Sequence, residues 1–191
     1  MSFTQSLYSG EQFKKRSFSN IDIQSIVFED CEFENCSFLE CRFDGCRFVN
    51  GTFSECDLSN FVPVNCEFRE VDFLKCKIIG ADWTKVKSIR MLSFSECFLN
   101  YSNFRMLKLE KIRIVRCEAK DVDFIEADLT GGDFKGTDFD QSIFFKTILS
   151  KANLAGAKNY SIDIKNNTLK ETHFSLPEAL SLLHNSDIII D

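Results

Sequence analysis

Proline (2 residues), glycine (8), tryptophan (1) and histidine (2) are all scarce in this chain of 191 residues. So little glycine and proline excludes a collagen-like or disordered linker sequence. A run of some 18 apolar residues is missing, so no segment reads as a membrane-spanning helix. Basic residues are not in excess: Lys and Arg total 23 against 29 Asp and Glu, a net charge of −6. That balance excludes the usual nucleic-acid-binding domain, which is basic. The stretch from Met1 to Gly10 is polar and lacks the apolar core of a secretory signal. No Ser/His/Asp, Cys/His or phosphate-loop pattern occurs, and His173 and His184 both lie near the C-terminal end. What the chain has in abundance is phenylalanine, 21 residues, and cysteine, nine.

One period explains both. From Ile23 an apolar residue recurs every five positions through Phe28, Phe33, Phe38, Phe43, Phe48, Phe53 and Leu58, then Phe68, Phe73, Ile78 and Trp83, with Pro63 the one break. The phase slips by one residue between Trp83 and Phe94, then resumes every five positions from Phe94 to Leu154. Fourteen of the 21 phenylalanines sit on these positions; an even scatter would put about three there, and a fixed period of this kind settles the architecture. The position two before each is restricted to small or apolar residues, and all nine cysteines fall in it. The other three positions are mostly polar. A helix of period 3.6 and a strand of period 2 both fail to produce this pattern. A chain that turns a corner every five residues produces it, with large residues filling the axis of a square coil.

Ala127-Asp128-Leu129-Thr130-Gly131 and Ala152-Asn153-Leu154-Ala155-Gly156 resemble the A(D/N)LXX motif of the pentapeptide-repeat family. Cys31-Glu32-Phe33-Glu34-Asn35 and Cys36-Ser37-Phe38-Leu39-Glu40 resemble its Cys/Phe variant. The resemblance covers about residues 18–158 and implies an all-β solenoid, a right-handed quadrilateral β-helix. Expected boundaries are an irregular N-terminal lead-in over 1–17, the β-helix over 18–158, and a C-terminal cap over 159–191. Ser175, with Pro177 in the first turn and Glu178 three residues on, reads as the N-cap and capping box of a short helix over 176–184.

The cysteine spacings of 5, 10 and 20 residues are not metal-binding spacings, and small buried thiols suit a tight inner column. Cys36, Cys56 and Cys76 are expected to stack, as are Cys46 and Cys66. An odd number of thiols without a signal peptide points to a reducing cytoplasm. No cofactor, metal or catalytic residue is expected. Sorting outward residues by face leaves one face unbalanced: Glu40, Asp57, Glu118, Asp121, Asp138 and Asp140 against Lys77 and Lys120, with Phe98 and Tyr101 displayed among them. The face through Phe28, Phe48 and Phe68 carries six acids and six bases. An acidic face with an apolar middle is a partner-binding surface. Residues 105–116 are locally basic.

The chain, with its C-terminal tail, resembles the quinolone-resistance (Qnr-type) and microcin-immunity members of the family. Their rods mimic duplex DNA, bind type II topoisomerases (DNA gyrase and topoisomerase IV) and dimerise end to end through a C-terminal helix. The resemblance therefore implies a non-enzymatic, cytoplasmic, protein-binding homodimer that protects a topoisomerase from a quinolone or toxin. It implies neither direct nucleic-acid nor membrane binding. Leu180, Leu183, Ile188, Ile189 and Ile190, which have no place in the repeat, are the candidate dimer contacts. A general interaction rod with another partner is the alternative reading. The chain lacks the projecting loops of many Qnr-type members, its only interruption being the one-residue slip.

Overall fold

The computed structural model describes residues 3–183. Its strands are short: β1 (Leu7–Ser9), β2 (Gln12–Lys14), β3 (Asp22–Gln24), β4 (Val27–Glu29), β5 (Glu32–Glu34), β6 (Arg42–Asp44), β7 (Arg47–Ser54), β8 (Val62–Val64), β9 (Glu67–Leu74), β10 (Ser88–Ser95) and β11 (Arg113–Val115). Every pairing is parallel and joins residues one coil apart, as in Phe28↔Phe48↔Phe68. Beyond β11 the same ladder continues as single bridges, such as Glu118↔Asp138↔Lys158. The molecule is a right-handed quadrilateral β-helix whose coils stack at the ~4.8 Å strand spacing.

The backbone explains why five residues make one side. The residue two after each central position but Trp83 is left-handed, from Lys15 (φ 51°) and Asn20 (φ 58°) to Lys151 (φ 60°). Such a residue turns the chain through a corner. None of these corner residues through Lys151 is β-branched; they are Asn, Asp, Glu, Lys, Gly, Ser and other unbranched types. A Cβ branch would add to the ~1–2 kcal/mol that the left-handed region already costs an L-residue.

Central rings stack along each side: Phe33 on Phe53 at 4.5 Å between centroids, and Phe53 on Phe73 at 4.9 Å. Neighbouring sides meet edge to face, as Phe28 with Phe33 at 5.5 Å. Both geometries are the ones the ring quadrupole favours. Pro63 does not break the run, because it points inward and pairs with Phe43. Its small volume is offset by Phe61 in the neighbouring small position, whose ring lies edge-on to Trp83 at 5.3 Å.

The small positions form hydrogen-bonded columns. The N–H of Cys36 donates to Cys56 Sγ, that of Cys56 to Cys76, Cys76 to Cys97 and Cys97 to Cys117, each at 3.4 Å. Thr137 continues the column, its Oγ1 accepting from the N–H of Cys117 at 3.2 Å. The thiols in turn donate to carbonyls, as Cys76 Sγ to the Phe53 carbonyl at 3.3 Å. Cys36, Cys56 and Cys76 therefore stack as expected, and the column crosses the slip.

The extra residue sits at a 3-10 turn, Trp83–Lys85, capped by the Asp82 carboxylate. Below it coils repeat every 20 residues (Asp57↔Lys77); across it the offset is 21 (Lys77↔Phe98, Phe68↔Ile89).

Both ends differ from the expectation. Within the expected lead-in over 1–17, the described residues are not irregular, since β1 pairs with β4 and β2 with β5 in full register. Phe3 closes the bottom by stacking on Phe18 at 4.5 Å, and the N–H groups of Thr4 and Gln5 donate to Tyr8 Oη. At the other end bridges continue past residue 158, to Ile148↔Thr168 and Asn153↔His173. The terminal turn is a 3-10 helix, Glu178–Leu183, with none of its residues fully buried. Ser175 and Glu178 do not form a capping box. The Ser175 hydroxyl accepts from the N–H of Gly156 (2.8 Å), and Glu178 Oε1 accepts from that of Asn159 (2.6 Å). Both side chains stand in for carbonyls of a coil that is no longer there, because a solenoid end leaves donors that must be satisfied.

Candidate partner-binding face

The face over Phe38, Leu58, Ile78, Leu99, Ala119 and Phe139 is built on one ladder: Ser17, Ser37, Asp57, Lys77, Phe98, Glu118, Asp138 and Lys158 lie one above the next. Each is the residue before a central position, so its side chain faces outward. Phe98 is 44 % exposed and Tyr101 66 %, the former taking an outward slot that elsewhere on this ladder holds polar groups.

The structure divides the sequence-predicted acids into two kinds. Asp57, Glu118 and Asp138 are engaged. Asp57 Oδ1 accepts from the N–H of Ser59 at 3.0 Å. Glu118 meets Asn100 Nδ2 at 2.6 Å and Lys120 Nζ at 3.4 Å. Asp138, with a side chain only 15 % exposed, accepts from the N–H of Asp140 and from Asn159 Nδ2 and pairs with Lys158 at 3.7 Å. Glu40, Asp121 and Asp140 form no ion pair with a described residue. Asp121 stands one coil above Tyr101, and Asp140 lies in the coil above that, so Phe98, Tyr101, Asp121 and Asp140 form one patch. Glu40 does not join it. It lies three coils below Tyr101 in the same column, about 14 Å away at the strand spacing.

Sequence reasoning missed Lys158, which lowers the face's excess from four negative charges to three. The signal was available, since 158 follows 138 by one coil, but the repeat was taken to end there. Even so, the other three faces of the rod pair acids with bases far more evenly. The candidate dimer residues are only partly within view: Leu180 is exposed and Leu183 half-buried, while Ile188, Ile189 and Ile190 lie outside the described residues.

The nine cysteines are buried free thiols. Cys36, Cys76 and Cys117 are held far above the ordinary thiol range, first by hydrogen bonds with the neighbouring thiols and then by burial. Among the described residues no three His, Cys, Asp or Glu side chains gather as metal ligands would.

Coils of four five-residue sides, parallel throughout and filled by one large and one small residue per side, define a pentapeptide-repeat solenoid. Residues 26–104 match the family's pentapeptide repeat region and residues 123–158 its eight-copy pentapeptide repeats, and the chain belongs to the pentapeptide-repeat family. Two solved structures are similar in fold, both trypsin-treated variants of QnrB1, a plasmid-mediated fluoroquinolone resistance protein. One gives a TM-score of 0.74 over 97 % of this chain and 99 % of its own, the other 0.73 over 96 % and 99 %, each at 18 % identity. No curated protein sequence matches the chain.

Proposed function

We propose that this protein is a non-enzymatic, cytoplasmic rod that binds a bacterial type II topoisomerase, DNA gyrase or topoisomerase IV, and shields it from a quinolone or peptide poison. The observation that carries the reading is the one unbalanced face, where the unpaired carboxylates of Asp121 and Asp140 flank the exposed rings of Phe98 and Tyr101. Regularly spaced charge on a rigid rod attracts a basic DNA groove, and exposed aromatic rings anchor such an interface. The excess of three charges on this face is far sparser than the one charge per ~1.7 Å of duplex DNA. The apolar patch therefore carries part of the contact. The fold shared with QnrB1, a fluoroquinolone resistance protein, supports the choice of partner. A homodimer through the C-terminal segment would double the length of the rod.

The test is a supercoiling titration of gyrase and of topoisomerase IV, with and without a quinolone. The proposal expects inhibition or protection at micromolar protein. Neither effect on either enzyme sinks it.

A further inference from the structure

The coil-to-coil ladder opens between residues 88–91 and 108–110. On the face through Phe48 and Phe68, coil-to-coil bonds recur above and below: Leu109 N–H to the Asp128 carbonyl and Lys111 N–H to that of Thr130, both 2.8 Å, and Asp128 N–H to that of Leu107, 2.9 Å. Between residues 88–91 and 108–110 the equivalent three are missing. Neither Ile89 nor Met91 donates to the coil above, Lys108 does not donate to the coil below, and no bridge joins Ser88 to Lys108. The cause lies in the slip. The coil that takes 21 residues stays paired with β9 below it over Ser88–Arg90, and regains the coil above only at Ser93↔Arg113. The opening is a cleft of about 780 Å³ on the face opposite the acidic one, within the ~300–1,000 Å³ range of ligand sites.

Three further features mark it as a site. Its lips carry unpaired donors and acceptors along a strand edge, the arrangement that takes up an extended peptide as an added strand. Arg90, Lys108 and Lys111 line it and form no ion pair with a described residue, whereas neighbouring Lys87 pairs with Glu67 at 2.7 Å. Glu110 is the one acid on the lips; Glu70 and Asp72 lie on the coil beneath. Met91 adds an exposed apolar side chain.

We infer that this cleft binds an extended acidic segment of a partner protein by strand addition, its main chain pairing with Ile89, Met91 and Lys108 and its carboxylates meeting Arg90, Lys108 and Lys111. The inference stands independently of the acidic face and its partner.

Amide hydrogen exchange on the full chain tests it, with the synthetic peptides acetyl-(Glu-Val)₄-amide and acetyl-(Lys-Val)₄-amide as probes. In the free protein the amides of Ile89, Met91 and Lys108 should exchange at least tenfold faster than those of Leu109 and Lys111. The Glu-Val peptide should slow them, and the double variant Arg90→Glu, Lys111→Glu should weaken its binding at least tenfold. Unchanged exchange at Leu109 would show that the variant is folded. Three results overturn the inference: slow exchange at the three amides in the free protein, equal protection by both peptides, or protection by neither. If the amides are slow in the intact chain but fast after truncation at Leu183, the chain's own terminus is the occupant and the partner is excluded.

Discussion

A phenylalanine in this chain is worth what its slot makes it worth. Phe53, 1 % exposed, is sandwiched between Phe33 and Phe73, and Phe134 is equally buried. Truncating either to alanine should cost ~3–5 kcal/mol in urea unfolding. Phe98→Ala should cost under ~1 kcal/mol, because the ring faces outward and is 44 % exposed; an equal loss at Phe98 and Phe53 would refute the inward and outward assignment. The corners give a second prediction. Met106 has φ 60° and an exposed side chain. Met106→Val should destabilise by ~1–2 kcal/mol and Met106→Asn by nothing measurable or less than nothing, since only the β-branched residue resists the left-handed region. Which side chains face inward was legible in the sequence, because a five-residue corner period leaves a steric signature at every repeat. The left-handed corner was equally present, as an absence of Val, Ile and Thr two after each central residue through Lys151, but absences are harder to see than phenylalanines.

Single coils and caps are held by bonds that span about twenty residues, and local sequence logic misreads them. Ser175 and Glu178 have the spacing of a capping box, yet they bond Gly156 and Asn159 one coil below. The slip was visible as a break in phase, but the open edge it leaves between residues 88–91 and 108–110 depends on how two coils meet, which no window of sequence contains. The cysteine column makes the same point energetically. Cys76→Ala removes the acceptor for the Cys56 N–H and should cost ~1–3 kcal/mol beyond the lost volume, the penalty of an unpaired buried donor. Cys76→Ser, which keeps an acceptor, should recover part of that loss. Ellman titration should find no fast-reacting thiol in the native protein at pH 8, since all nine are buried out of the reagent's reach, and nine after denaturation without reductant. Fewer than seven would mean disulfides and a different register. Deleting residues 175–191 strips both stand-in acceptors and the exposed Leu180. It should convert a dimer to an aggregation-prone monomer, as seen by light scattering. If the intact chain is already monomeric at high concentration, the end-to-end assembly is refuted.

At the scale of the whole rod, function reduces to which face a partner sees. Sorting residues by coil found the acidic face without coordinates, yet it weighted all six carboxylates equally. Asp138 is mostly buried and closes its own turn, so reversing it would confound binding with folding. Glu40, Asp121 and Asp140 are the appropriate set, because none forms an ion pair with a described residue and lysine already occupies corners equivalent to those of Glu40 and Asp121, as at Lys75 and Lys111; their replacement by lysine should leave stability within about 1 kcal/mol. If this face meets a topoisomerase's DNA groove, the triple lysine variant should lose at least tenfold in gyrase inhibition or protection. The wild-type effect should also weaken as salt rises from 50 to 300 mM, since exposed charges are screened beyond a Debye length of about 8–10 Å. Phe98→Ala with Tyr101→Ala should reduce the effect while leaving its salt dependence intact, because apolar anchoring is not screened. A triple variant that acts like wild type, with a response flat in salt, would remove the acidic face from the mechanism and leave the aromatic patch alone to account for the contact.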